Sequence, residues 1–239
     1  PRRRKMREDF IMLVFELPMQ IYFLAPVPAE QVSGRIARLL DGALEKNGPG
    51  GAQKSLFWPY TFDQPCPLEA EHIYLEGKIY TVRIRTVSQE LAEFFIRRLP
   101  GAGNDCIHVL SGQLRLIPRC LLERVHSLTP VVVKTERGYW RNQMQLVEYE
   151  ERLKENLIRK YNFFQHASLS GDFLLFRDIA FMNRKPVRVA QSDISLLGDK
   201  VSLKAASNDT AQELLYMALG TGMGENNARG CGFLGYRFR

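Results

Sequence analysis

Residues 220–238 read GTGMGENNARGCGFLGYRF, and six of the chain's 18 glycines fall between Gly220 and Gly235. Glycine at this density lets a backbone take positive φ and come close to a ligand. Upstream, NDTAQELLYMAL sets Leu214, Leu215, Met217 and Leu219 toward one face of a helix. Asn208 or Asp209 is its expected N-cap, with Gln212 near the capping-box position. Downstream, Phe233 to Phe238 reads as a strand. The order is therefore helix, glycine loop, strand. A dinucleotide fingerprint has the opposite order and needs a third glycine, where this chain has Glu225 or Asn227. A P-loop needs Gly-Lys-Ser/Thr at its end, and none is present. Two readings stay open: a long turn, or a backbone surface that meets a phosphate chain with Asn226, Asn227 and Arg229 as polar contacts.

At 239 residues the chain suits two modest domains or one large one. No apolar run approaches the roughly 18 residues of a membrane span. Cys66, Cys106, Cys120 and Cys231 are widely spaced and form no CxxC pair, which points to reduced, intracellular thiols and a cytoplasmic location. The same spacing, and histidines without partners at ligand distance in sequence, predict no metal site and no cofactor. Net charge is +7, but it falls to +2 once the five cations of the leader PRRRKMR are set aside. The body is thus only mildly basic, permitting a polyanionic partner without demanding one. The leader has no apolar core and is not a secretory signal. It reads as a linker, a processed end, a cloning remnant or a basic arm on nucleic acid.

Element patterning gives the fold class. FIMLVFEL (10–17) is a buried strand, extended or paired by IYFL (21–24). Residues 29–46 form a helix with Val32, Ile36, Leu39, Leu40 and Ala43 inward, ended by Asn47-Gly-Pro-Gly-Gly. Strands follow at 55–62 and, as a hairpin around Glu76-Gly77-Lys78, at 71–87. A helix capped by Ser88 and a strand region at 106–117 complete the first half. The second half repeats the order: VVVK (131–134), a helix at 147–161, strands within 172–182 and 194–205, the last helix, and the closing strand. The chain is read as α+β, with two tandem ferredoxin-like, RRM-like βαββαβ domains. The leader spans 1–9, the domains 10–127 and 128–239, and a cleft for an extended ligand lies between them. An ordinary RRM stacks bases on sheet aromatics. The spacing of Phe233, Tyr236 and Phe238 does not fit that strand, so they are expected as core or loop anchors.

The helix, then G-x-G-x-x-N-x-x-G-x-G-F over Gly222 to Phe233, then a closing strand resembles the glycine-rich loop of the RAMP proteins. Within these it is similar to the CRISPR repeat-processing endoribonucleases, the sixth Cas family. VEYEERLKENLIRKYNFF (147–164) resembles the helix that opens that family's second domain. The resemblance implies a metal-independent endoribonuclease. A ribose 2′-OH attacks the adjacent phosphate, leaving a cyclic phosphate and a 5′-OH. It also implies precursor repeat RNA, single-stranded or hairpin, as the substrate. Other Cas proteins, a fused domain and a second copy of the chain are further candidate partners.

The family's histidine follows the first helix, and here Glu45 stands at or near that place. Where some members have a tyrosine on that helix, this chain has Ala37 or an arginine beside it. Lys54 falls at the family's lysine position, and Arg35 and Arg38, three apart on the helix, are expected to face one groove. The expected catalytic group is therefore Lys54, Arg38 and Arg35, a site without histidine. The expected RNA contacts are Gly220, Gly222, Gly224, Asn226, Asn227, Arg229, Gly230 and Gly232. His72, His108, His126 and His166 read as surface, strand or junction residues. Glu148, Glu150, Glu151 and Glu155 read as a solvated helix face. Glu45 is a poor base because a phosphate repels it.

Losing a positioned general base typically costs 10² to 10⁴ in rate, so such an enzyme is expected to be slow. The alternatives are a catalytically inactive homologue, or a scaffold or fusion domain, that only binds repeat RNA. If the loop meets the RNA backbone, Arg229→Ala weakens binding and slightly flattens the plot of log affinity against log salt. A binding isotherm series over salt concentration checks this, and an unchanged slope and affinity count against it.

Overall fold

The computed structural model describes residues 12–49, 57–136, 138–191 and 194–239. The expected leader and Lys54 lie outside the described residues. The first lobe runs β1 (Phe15–Phe23), β2 (Val27–Pro28), α1 (Ala29–Asn47), β3 (Tyr60–Phe62), β4 (Ile73–Tyr74), β5 (Ile79–Thr86), α2 (Gln89–Arg98), β6 (Ile107–Gly112) and β7 (Arg115–Leu116). Its main sheet has the order β3-β5-β1-β6, with β7 paired to β1 and all pairings antiparallel. The second lobe runs β8 (Leu122–Ser127), α3 (Leu146–Gln165), β9 (Phe176–Phe181), β10 (Val187–Gln191), β11 (Ile194–Gly198), β12 (Val201–Ala205), α4 (Asp209–Thr221) and β13 (Leu234–Phe238). Its sheet order is β13-β8-β12-β9. In both lobes the first strand of the unit is flanked by the third and fourth, the ferredoxin-like arrangement.

Local chemistry explains most elements. β1 alternates buried and less buried positions, so Phe15, Leu17, Met19, Ile21 and Phe23 all enter the first core. Ser88 caps α2 by accepting from Leu91 N at 3.2 Å. Asn208 caps α4 by accepting from Ala211 N at 2.9 Å. Gln212 does not close a capping box. Its side chain instead bonds both the N–H and the carbonyl of Leu122, tying α4 to β8.

Three expectations change. The run 71–87 is no hairpin, because β4 pairs with β2 and β5 pairs with β1 and β3. Tyr74 is fully buried against Phe23 and Tyr80, at 5.3 and 5.0 Å between rings, which draws β4 off the sheet. The valines 131–133 are buried but form no strand; Val131 and Val132 make single bridges to Asp199 and Glu225. The place of the expected first strand of the second lobe is taken by Leu122–Ser127, paired to both β12 and β13. The change of sheet thus falls between β7 and β8, ahead of the junction expected at residues 127–128.

The lobes meet through α4, β5 and β13. Arg85 of β5 is buried, and its Nε donates to Glu16 Oε2 at 2.7 Å within the sheet. Its Nη1 crosses to the second lobe and donates to the Leu234 carbonyl at 2.5 Å. The guanidinium also covers the Phe233 ring at 4.3 Å and the Tyr236 ring at 5.3 Å. At the C-terminal end of α4, a side chain on Gly220 would press on Val14, Thr86 and Val87, so glycine sets how near the lobes can come. β10 lies against α1, and Val189 on it packs with Val132 and Cys231. Replacing Arg85 by Met leaves the Glu16 carboxylate without its partner and the Leu234 carbonyl without its donor. We expect a loss of about 3 kcal/mol, the low end for a broken buried pair because Glu16 keeps some solvent, read as a lower urea midpoint.

Candidate functional site

The segment between α4 and β13 is a closed loop held by its own side chains. Met223 N donates to Gly232 O at 2.9 Å, Gly232 N to Pro130 O at 2.8 Å, and Glu225 N to Val132 O at 2.9 Å. Gly232 has φ 67°, and a Cβ there would overlap the Met223 carbonyl oxygen, so only glycine closes the loop. Asn227 spans it from inside. Its Nδ2 donates to Met223 O and Cys231 O, both at 3.0 Å. Its Oδ1 accepts from Lys160 Nζ at 2.7 Å.

Lys160 comes from α3 and is buried. Its Nζ also donates to Gly222 O at 2.8 Å and Gly224 O at 3.0 Å, so three acceptors meet the three donors of an ammonium. Burial pushes its pKa down to about 7, against a smaller upward pull from Glu225.

Of the expected RNA contacts, Gly220, Gly222, Gly224, Gly230, Gly232 and Asn227 are buried. Only Asn226 and Arg229 are half-exposed, together with Glu225. The loop therefore offers its apex rather than its length. Arg229 forms an ion pair with Asp41 of α1, joining the apex to the first lobe. Tyr60 lies nearby, its hydroxyl buried and without a partner, and burial followed by the Asp41 charge pushes its pKa up.

A cavity of about 310 Å³ opens beside the apex. Phe57 and Trp58 line it from the first lobe; Lys134, Asn156, Lys160 and residues 224–229 line it from the second. Glu225 Oε2 accepts from Lys134 N at 3.1 Å. Asp41 and Glu45 stand with Arg229 and Trp58 in an adjoining hollow. The cations Lys134, Lys160 and Arg229 are thus offset by three carboxylates.

Arg35 and Arg38 do not join this group. Arg35 Nη1 pairs with Asp105 at 2.7 Å, and Asn104 bonds the Arg35 carbonyl, turning that side of α1 toward the β6 approach. Arg38 is exposed and has no hydrogen bond or ion pair among the described residues. Neither arginine lines the cavity beside the loop apex. No histidine lines the cavity among the described residues. His126 sits on β8, its pKa lowered by burial and by Arg124. His72 and His166 take positive φ, at 57° and 49°. Among the described residues no three His, Cys, Asp or Glu side chains come together as metal ligands, and no helix is long and apolar enough to cross a membrane. Asn156, Lys160, Trp58 and Asp41 escaped sequence reasoning. The legible signal was on α3, where Asn156 and Lys160 fall four apart within the buried stripe of Tyr149, Leu153 and Leu157.

Two ferredoxin-like lobes are thus joined through a C-terminal glycine loop. Residues 121–236 match the family model for the C-terminal part of CRISPR associated protein Cas6. A solved CRISPR associated protein Cas6 is 18% identical with a TM-score of 0.70, over 94% of this chain and 99% of that one. A Cas6-related protein from Pyrococcus furiosus is 14% identical with a TM-score of 0.67, over 94% and 98%. A RAMP protein described as binding different RNA substrates is 17% identical with a TM-score of 0.65, over 93% and 99%. No curated protein matches by sequence. The C-terminal part of the chain, residues 121–236, thus carries a Cas6-type C-terminal domain.

Because the folded value for Lys160 lies below the ordinary 10.5, the unfolded chain holds more protons between pH 7 and 10.5. Stability therefore rises with pH across that window and is flat, as far as Lys160 is concerned, below it. Relative to Lys160→Met, the native chain should gain a few kcal/mol from pH 7 to 10.5. Urea titrations of both proteins at several pH values check the difference.

Proposed function

We propose that this chain binds CRISPR repeat RNA at the junction of its lobes and cuts it without a metal, by 2′-OH attack on the adjacent phosphate. The observation that carries the reading is the convergence of Trp58, α3, Lys134 and the loop apex on one cavity at that junction, with Arg229 held there by Asp41 of α1. The Cas6 match over residues 121–236 supports the repeat-RNA substrate and the endonuclease activity.

The chemistry needs a proton acceptor for the 2′-OH, a donor for the leaving 5′-oxygen, and charge to balance the phosphorane. Lys54, four residues ahead of Trp58 in the sequence, is the candidate for proton transfer and charge balance. Arg38, exposed on α1, is the candidate phosphate contact. Arg35 is already neutralised by Asp105, so it acts at most on the placement of α1. Asn226 and Arg229 contact RNA at the loop apex, while the buried glycines and Asn227 shape it.

A second reading, binding without cleavage, is favoured by one observation. No histidine lines the cavity among the described residues, and its cations are offset by Glu225, Asp41 and Glu45. End-labelled repeat RNA run on denaturing gels, with and without chelator, separates the two. We expect slow, chelator-resistant cleavage that ends in a cyclic phosphate, slowed about 10²–10⁴-fold in Lys54→Ala. Cleavage at the native rate in that variant removes Lys54 from the mechanism. Tight binding with no cleavage at protein excess selects the second reading.

A further inference from the structure

Two side-chain amides that line the cavity are left incomplete. Asn156 Oδ1 and Asn226 Nδ2 are buried and have no hydrogen-bond partner. A buried polar atom without a partner costs about 1–3 kcal/mol, so a pair of them on one cavity wall calls for a ligand. Asn156 is only 5% exposed and stands one helical turn before Lys160, whose own donors are all taken by the loop. Asn226 is held in the left-handed region at φ 58°, ψ 34°, where Arg229 N and Cys231 N both bond its carbonyl.

What the two atoms ask for is one donor and one acceptor. A phosphate offers acceptors only and would leave Asn156 Oδ1 unsatisfied; Glu225 on the same wall would also repel it. A nucleobase edge carries a donor and an acceptor side by side, and its face can lie on the indole of Trp58. A cavity of about 310 Å³ has room for a single base rather than a stacked run. We propose that this cavity is a subsite for one unstacked base of the RNA, read by Asn156 and Asn226 and stacked on Trp58. Resting on the RNA-binding reading above, the subsite adds base recognition to a loop otherwise placed to touch backbone. It also gives the carboxylates a role, since they disfavour phosphate where an uncharged base has to sit.

The test is an abasic scan of the repeat, one nucleotide at a time, against the native chain, Asn156→Leu and Asn226→Gly. Leucine fills the space of Asn156 without a polar atom, and glycine keeps the left-handed backbone of residue 226. Asn156→Leu should melt no lower than the native chain. For the native chain, one abasic position should weaken binding about ten- to a hundredfold. In both variants the intact RNA should bind about tenfold more weakly, and the penalty at that one position should shrink by about the same factor while the others persist. Native-like affinity in both variants, or an abasic penalty that they leave unchanged, overturns the subsite while RNA binding stands. Failure of the native chain to bind any repeat RNA overturns the functional reading itself, and the subsite with it. Nucleoside monophosphates that bind the native chain but not the variants, with RNA affinity equal in all three, would assign the cavity to free nucleotides and overturn its role on RNA.

Discussion

The Lys160 ammonium sits where water cannot reach, and the shape of the C-terminal loop depends on it. Burying a charge is unfavourable unless it is fully hydrogen-bonded. Here the Gly222 and Gly224 carbonyls and the Asn227 side chain supply the three acceptors. Those carbonyls turn inward, so the apex residues Glu225, Asn226 and Arg229 face out. Asn227 then fastens both sides of the loop to each other. A glycine-rich stretch that looks flexible in one dimension is thereby made into a shaped surface.

That surface has meaning only because the lobes hold a fixed relation. Arg85 fills its bonding capacity partly in its own sheet and partly on the Leu234 carbonyl across the junction, while its flat face lies on Phe233. Arg229 and Asp41 repeat the arrangement at the rim, and β10 lies along α1. Residues from β3's approach, the Lys134 segment, α3 and the loop therefore meet at one cavity without any of these segments being neighbours in sequence. Phe233 and Tyr236, expected as anchors and not as stacking platforms, sit beneath Arg85.

The electrostatics of the junction are mixed rather than basic. Of the cations lining the cavity, Lys160 is held by loop acceptors and Arg229 by Asp41. Arg38 on α1 is exposed, and Lys204, Arg124 and Arg237 lie in one cross-strand row by register. Arg237 in that row is bound by Glu123.

The fold class, the four helices and the Ser88 and Asn208 caps were legible because each follows from local periodicity and local side-chain chemistry. The glycine loop and its place between helix and strand were legible too, for the same reason. Strand partnership was not: a run such as Val131–Val133 says that it will be buried, but the choice of Leu122–Ser127 as the paired strand depends on distant β12 and β13. Which face of the loop meets solvent was decided by Lys160, sixty-two residues away from Gly222. The pairing of Arg229 with Asp41 spans 188 residues. Sequence by itself determined the elements and their order, since these rest on neighbours three or four positions apart. Only tertiary structure decided what the loop touches and which polar atoms on the cavity wall are left without partners, because those outcomes depend on contacts between remote segments.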